Sequence, residues 1–232
     1  MDEKRKFGIC VFCGRERFLT KDHIPPKSLF PKPRPSNLIT VDSCEGCNLG
    51  SGKDDEYFRL MTAIREDALN HPEANRILEV IARSFDREEH DGLRKSVLDT
   101  LKYVELVSPS GLYLGKRPSL WLDYARMNKL AAKITQGLFY HEKGYRLPES
   151  HRVEAWGDPF IRDESAPDRN KLIVSFLLSQ KRNTIGNGVF SYWVAFRKED
   201  LNTSAWLMLF FESVPYLCVT RPRKDAPSTS AA

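Results

Sequence analysis

The chain has 232 residues, 41% of them hydrophobic, and a formal charge of +5. That length suits one large domain or a small module joined to a larger one, with enough apolar content for a packed core. No apolar run approaches the ~20 residues that span a bilayer, and Met1-Asp2-Glu3-Lys4-Arg5-Lys6 leads into no signal-peptide core, so a soluble cytoplasmic protein with no membrane partner is expected. Residues 1–36 hold nine Lys and Arg against four Asp and Glu, whereas the other 196 residues carry 27 of each sign. The whole positive excess therefore lies at the N-terminus.

In chain order, the first feature is Cys10-x-x-Cys13, matched 30 residues later by Cys44-x-x-Cys47. In a cytosolic chain this spacing reads as metal rather than disulfide. Four thiolates on two tight turns suit a closed, tetrahedral, structural Zn²⁺ site. A redox Cys-x-x-Cys is the competing reading, but redox sites do not normally come as two matched pairs. Cys218 stands alone in an apolar run and reads as a buried core thiol.

Between the pairs, Phe18–His23 and Asn37–Val41 have the character of partner strands. They flank Pro25–Pro35, whose five prolines predict an extended basic loop. The second cysteine pair opens a short helix weakened by Gly46, Gly50 and Gly52. Helical periodicity follows, with stripes at Tyr57, Met61, Ile64 and Ala68, and at Ile77, Val80, Ile81 and Phe85 after Pro72. A third stripe runs through Leu93, Val97, Leu101 and Val104. A fourth runs through Leu120, Tyr124, Met127, Ala131, Ile134 and Leu138, with Ser119 as its cap and Gly144 as its end.

From about residue 151 the pattern predicts strands at Lys171–Ser179, Gly188–Phe196, Ser204–Glu212 and Pro215–Thr220. The sum is an α+β chain in three parts. Residues 1–58 form a zinc-bound module, and residues 59–223 form a domain with helices to about 145 and antiparallel strands over 151–220. Residues 224–232 form a flexible tail.

The chemistry concentrates in the first module. Asp22 and His23 are adjacent on a predicted strand, so their side chains point to opposite faces, one able to hold a metal while the other faces a water. Asn48 opens the helix that would pack across that strand, where its side-chain oxygen would complete the ligation. Such oxygen ligands suit Mg²⁺. Lys27, Lys32 and Arg34 on the intervening loop are either solvated loop charges or, beside a site of this kind, candidates for phosphate contacts. His71, His90, His141 and His151 read as a helix-start, a turn, a helix-end and a strand-edge residue.

Cys10-x-x-Cys13, Asp22-His23-Ile-Pro-Pro-Lys-Ser, Asn37 and Cys44-x-x-Cys47-Asn48 together resemble the HNH endonucleases of the His-Me finger (ββα-metal) superfamily, over about residues 7–58. The resemblance does not extend to residues 60–232, although Gly137–Pro148 is similar to a segment that accompanies some of these nucleases. It implies that His23 is a general base and that Asp22 and Asn48 hold a divalent Mg²⁺ or Mn²⁺ against the scissile phosphate. Asn37 would brace the loop and orient His23. The implied reaction is DNA hydrolysis leaving 5′-phosphate and 3′-hydroxyl ends. The chain departs from the family pattern at Asn48, which stands where a His is frequent. Asp54 is a substitute ligand if the helix register slips.

Two other functions remain open at this point. One is a zinc-ribbon nucleic-acid-binding module without cleavage. The other is a nuclease subunit active only in a complex, with a homodimer or a larger defence or phage assembly as the possible partner.

Overall fold

In the computed structural model, residues 6–84, 91–158, 161 and 167–223 are described. The N-terminal sheet has three antiparallel strands in the order β1 (Phe7–Ile9), β2 (Glu16–Ile24), β3 (Ile39–Cys44). Leu19 pairs with Cys44 and His23 with Thr40, so the register brings the start of β2 beside the second cysteine pair. The connecting segment is more than an extended loop: Lys27–Leu29 form a turn of 3-10 helix, and Leu29 and Phe30 are buried. Burying these two apolar residues anchors the proline-rich segment, which its prolines alone do not do.

Two helices follow β3: the short α1 (Glu45–Leu49) and α2 (Gly52–Ala63), which carries the expected stripe from Tyr57 to Met61. The expected boundary at residues 58/59 falls within α2. Next come α3 (Pro72–Ser84), beginning at the predicted proline, and α4 (Asp91–Leu98). Phe85 and His90 lie outside the described residues, as does the tail expected at 224–232.

The third helical stripe is cut short. Leu101 and Val104 belong to β4 (Leu101–Val107), which pairs with β5 (Tyr113–Leu120) as a two-stranded ribbon inside the stretch expected to be helical. The run Leu101–Val107 is rich in β-branched and aromatic residues, and its spacing of apolar positions fits either period. Ser119 accordingly lies in β5 and caps nothing. The cap of α5 (Tyr124–Lys143) is Asp123, whose carboxylate accepts from the Arg126 N–H, while Gly144 ends the helix as expected.

The C-terminal half also differs in one element. Lys171–Ser179 is not a strand: α6 spans Asp168–Leu178. A continuous apolar run does not distinguish a buried strand from a helix, and here the length and the start after Pro167 decided for helix. The five-stranded antiparallel sheet has the order β6 (His151–Gly157), β10 (Val214–Pro222), β9 (Asp200–Phe210), β8 (Phe190–Arg197), β7 (Asn183–Ile185). Along β9, Trp206, Met208 and Phe210 enter the main core, while Leu207 faces α6 with Leu177, Trp193 and Leu217. This alternation follows from the period of two along a strand.

The main core is continuous from Val11 on the turn after β1 and Ile24 and Val41 of the N-terminal sheet, through Phe58, Met61 and Ile134 of α2 and α5, to Phe210 and Cys218 of the large sheet. The buried Cys218 thiol fits the core role expected of it; burial pushes it up to about 12. Among the described residues, no helix is long and apolar enough to cross a membrane.

Candidate metal and phosphodiester site

Cys10 and Cys13 sit on the turn after β1, where the Gly14 N–H donates to the Cys10 carbonyl at 2.9 Å. Gly14 takes φ +69°, and a Cβ there would strike the Arg146 guanidinium at 2.5 Å. Cys44 ends β3 and Cys47 lies one turn into α1. The four sulfurs lie within 4.8 Å of one another, with Cys13 Sγ and Cys44 Sγ 3.9 Å apart. A tetrahedron with Zn–S of about 2.3 Å has edges of about 3.8 Å, so the arrangement suits a structural metal such as zinc. The Cys44 N–H donates to Cys10 Sγ at 3.3 Å. Burial raises the Cys10 thiol, but backbone N–H donors of Cys13, Cys44 and Phe12 outweigh it and bring it down to about 6. Backbone donors that favour a thiolate also favour a thiolate ligand. Cys47 is shifted upward by burial and by the neighbouring sulfurs.

Asp22 and His23 have different surroundings. Asp22 is 7% exposed, and Lys133 Nζ of α5 lies 2.8 Å from its Oδ2 as an ion pair without hydrogen-bond geometry. Next along the strand on the same face, Ile24 packs against Gly137 of α5, where a Cβ would come within 2.5 Å of Ile24 Cγ1. His23 is half-buried and belongs with the basic loop. Burial lowers its pKa below 6.5, Lys27 and Arg34 lower it further, and Asp22 partly opposes them. All three nearby cationic and burial effects therefore favour the neutral imidazole that a general base requires.

Asn48 is half-buried, and its Nδ2 donates to Thr20 Oγ1 at 2.9 Å and to the Lys21 carbonyl at 3.3 Å. A carbonyl only accepts, so this fixes the amide nitrogen toward β2 and leaves Oδ1 as the acceptor on the other side. Lys133 Nζ also donates to the Cys47 carbonyl at 3.0 Å and to Ser51 Oγ at 2.8 Å. Lys133 thus stands between Asp22 and the residue that precedes Asn48. A carboxylate whose Oδ2 lacks a hydrogen-bond donor and an amide Oδ1 are hard oxygen donors of the kind Mg²⁺ and Mn²⁺ take.

Asp54 is already engaged by cations of α5. It pairs with Arg126 Nε at 2.6 Å and with Lys129 at 3.4 Å. Asp55, one position on, faces this site instead: its Oδ2 accepts from Ser51 Oγ at 3.5 Å. Burial pushes the Asp55 carboxyl up to about 6, with Lys133 opposing and Asp22 adding to the rise. Asp55, Ser51 and Lys133 are the residues that sequence reasoning missed. Asp55 had a faint signal in its place beside Asp54, whereas nothing in the sequence brings Lys133 to Asp22.

Asn37 is exposed and stands two residues before β3, in the wall of a cleft of about 560 Å³ that it shares with Thr40, Arg182, Thr184 and Tyr192. No hydrogen bond joins it to His23. Lys27, Lys32 and Arg34 are all exposed, and Arg34 Nε donates to the Lys27 carbonyl at 3.2 Å. His71 sits at the start of α3, where its Nδ1 accepts from the Glu73 N–H. His141 is in the last turn of α5. His151 opens β6 and bonds Asp200. No protein-family model, curated protein or solved structure matches the chain.

Proposed function

We propose that this protein is a metal-dependent endonuclease that hydrolyses DNA phosphodiester bonds at a ββα-metal site formed by β2, β3 and α1. The observation that carries the reading is the division of labour on β2. Asp22 is buried with an Oδ2 that accepts no hydrogen bond, and the adjacent His23 is biased toward the neutral form by burial and two basic loop residues. His23 accepts a proton from the attacking water, whose oxygen bonds to phosphorus while the P–O3′ bond breaks. The 3′-oxygen leaves and takes a proton from solvent water, His23 releases its own to solvent, and the phosphate remains on the 5′ end. Asp22 and Asn48 would hold the divalent cation, which supplies Lewis-acid polarisation of a phosphoryl oxygen. Lys27, Lys32 and Arg34 hold the neighbouring phosphates.

His23→Ala is the test. It should retain stoichiometric zinc and DNA affinity, yet lose plasmid cleavage in Mg²⁺ or Mn²⁺ by about two to four orders of magnitude. Undiminished cleavage would remove His23 from the chemistry.

The Lys133–Asp22 ion pair favours a second reading, a zinc-ribbon nucleic-acid-binding module in which Asp22 already has an internal counter-ion. Absence of cleavage by the wild-type protein under every divalent metal, with DNA binding retained, would select it.

A further inference from the structure

The basic residues of the N-terminal segment do not act alone. A cleft of about 470 Å³ runs between the proline-rich segment and helices α2 and α3, and five of its lining residues are cationic: Lys32, Arg34, Arg59, Arg76 and Arg83. Glu79 is the single acid among the residues that line it. Three of the cations come from the stretch that is neutral in sum, where folding has segregated charges that the sequence interleaves.

The five cations differ in how firmly they are held. Arg76 is fixed by donating to Glu73 at 3.0 and 3.1 Å and to the Lys32 carbonyl at 2.7 Å, which ties α3 to the loop. Arg83 is exposed and donates to its own helix at the Glu79 carbonyl, leaving the other guanidinium nitrogens for a ligand. Arg59 is half-buried, with its Nε lacking any hydrogen-bond partner. A partly buried guanidinium has met part of its desolvation cost in the folded chain, so an anionic oxygen in the cleft gains more from it than from a fully solvated one. Arg34 joins the cleft to the candidate site, since it also acts on the His23 imidazole.

We infer that this cleft is a binding site for the phosphodiester backbone of a polynucleotide, holding the phosphates that flank the bond presented to His23. Guanidinium forks suit phosphate oxygens, and several cations along one groove match a chain of regularly repeated negative charge better than a single small anion. The inference shares its polynucleotide partner with the proposed nuclease reading but not its chemistry, so it is tested without catalysis.

The measurement is duplex DNA binding by fluorescence anisotropy on the full, zinc-loaded chain carrying His23→Ala, with no Mg²⁺ or Mn²⁺ added and no chelator, across about 50–200 mM salt. Adding Arg59→Gln and Arg83→Gln should weaken binding about ten- to hundredfold, equally for unrelated sequences, and reduce the slope of log K against log salt by about 1.8. Lys102→Gln with Lys116→Gln on the β4–β5 ribbon removes the same charge elsewhere and should leave the slope unchanged. If Arg59→Gln disturbs folding, Lys32→Gln with Arg83→Gln, both at exposed positions, should give the same reduction. An unchanged slope in the cleft variants, or an equal loss in the ribbon variant, would overturn the assignment. So would saturable binding of a mononucleotide without binding of the duplex. Wild-type DNA binding lost through the cleft variants supports the inference whether or not the protein cleaves.

Discussion

At the scale of single residues, His23 has a protonation state that pH can report. Its pKa is depressed by burial first, then by Lys27 and Arg34. The imidazole is therefore neutral above a pKa lower than 6.5, and a general base is active in that form. Cleavage should rise with pH along an acid limb whose midpoint lies below 6.5, then level off above that midpoint. Lys27→Gln removes one of the depressing charges, so its acid limb should move to higher pH, toward but not past the ordinary imidazole value. A pH–rate profile of the two proteins checks this, and a midpoint that stays put or moves down would dissociate the limb from His23. The pairing of Asp22 with His23 was legible in the sequence because alternation along a strand is local. The place of Lys133 was not, because it comes from a helix more than a hundred residues away.

At the scale of elements, the site depends on how closely α5 approaches β2. Gly137 permits that approach: a Cβ would come within 2.5–3.1 Å of three carbons of Ile24, which is 2% exposed and has no room to retreat. Gly137→Val should cost about 1–3 kcal/mol, as overpacking in a closed core does. Because Ile24 follows His23, cleavage should fall as well. Chemical denaturation measures the first effect, and an unchanged midpoint would mean that the α5–β2 contact yields more easily than its geometry implies. The elements that the sequence showed well were those with an unambiguous local signal: α3 at Pro72, the end of α5 at Gly144, and the strands at Gly188–Phe196 and Ser204–Glu212. Leu101 with Val104, and Lys171–Ser179, take the other secondary structure from the one their spacing predicts, because short apolar runs satisfy both helical and extended spacing and tertiary neighbours decide.

At the scale of the whole molecule, the four-cysteine cluster is not an appendage. Cys10 and Cys44 are buried with Leu19, and Phe12 packs against both this cluster and the main core that reaches the C-terminal sheet. Cys44→Ser should therefore lose stoichiometric zinc and also lower the unfolding temperature of the chain as a unit, since a structural zinc site contributes folding free energy outright. Metal analysis with calorimetry tests it. Sub-stoichiometric zinc in the wild type with freely titrating thiols would refute the structural role. Two separate transitions, with only the smaller one affected, would show that the shared core does not couple the two halves.

The sequence by itself determined the features carried by neighbouring residues: the two cysteine turns, the Asp22-His23 dipeptide, the proline-rich basic segment and the antiparallel strands near the C-terminus. These are legible because backbone period, ring constraint and thiol spacing act over a few residues. Only the tertiary structure decided which carboxylate meets Lys133, that Asp54 is already engaged by Arg126 while Asp55 faces inward, and that Arg59, Arg76 and Arg83 line one cleft with Lys32 and Arg34. The physical reason is the same in each case. Electrostatic partnership depends on distance in space, and packing brings together charges whose order along the chain carries no trace of it.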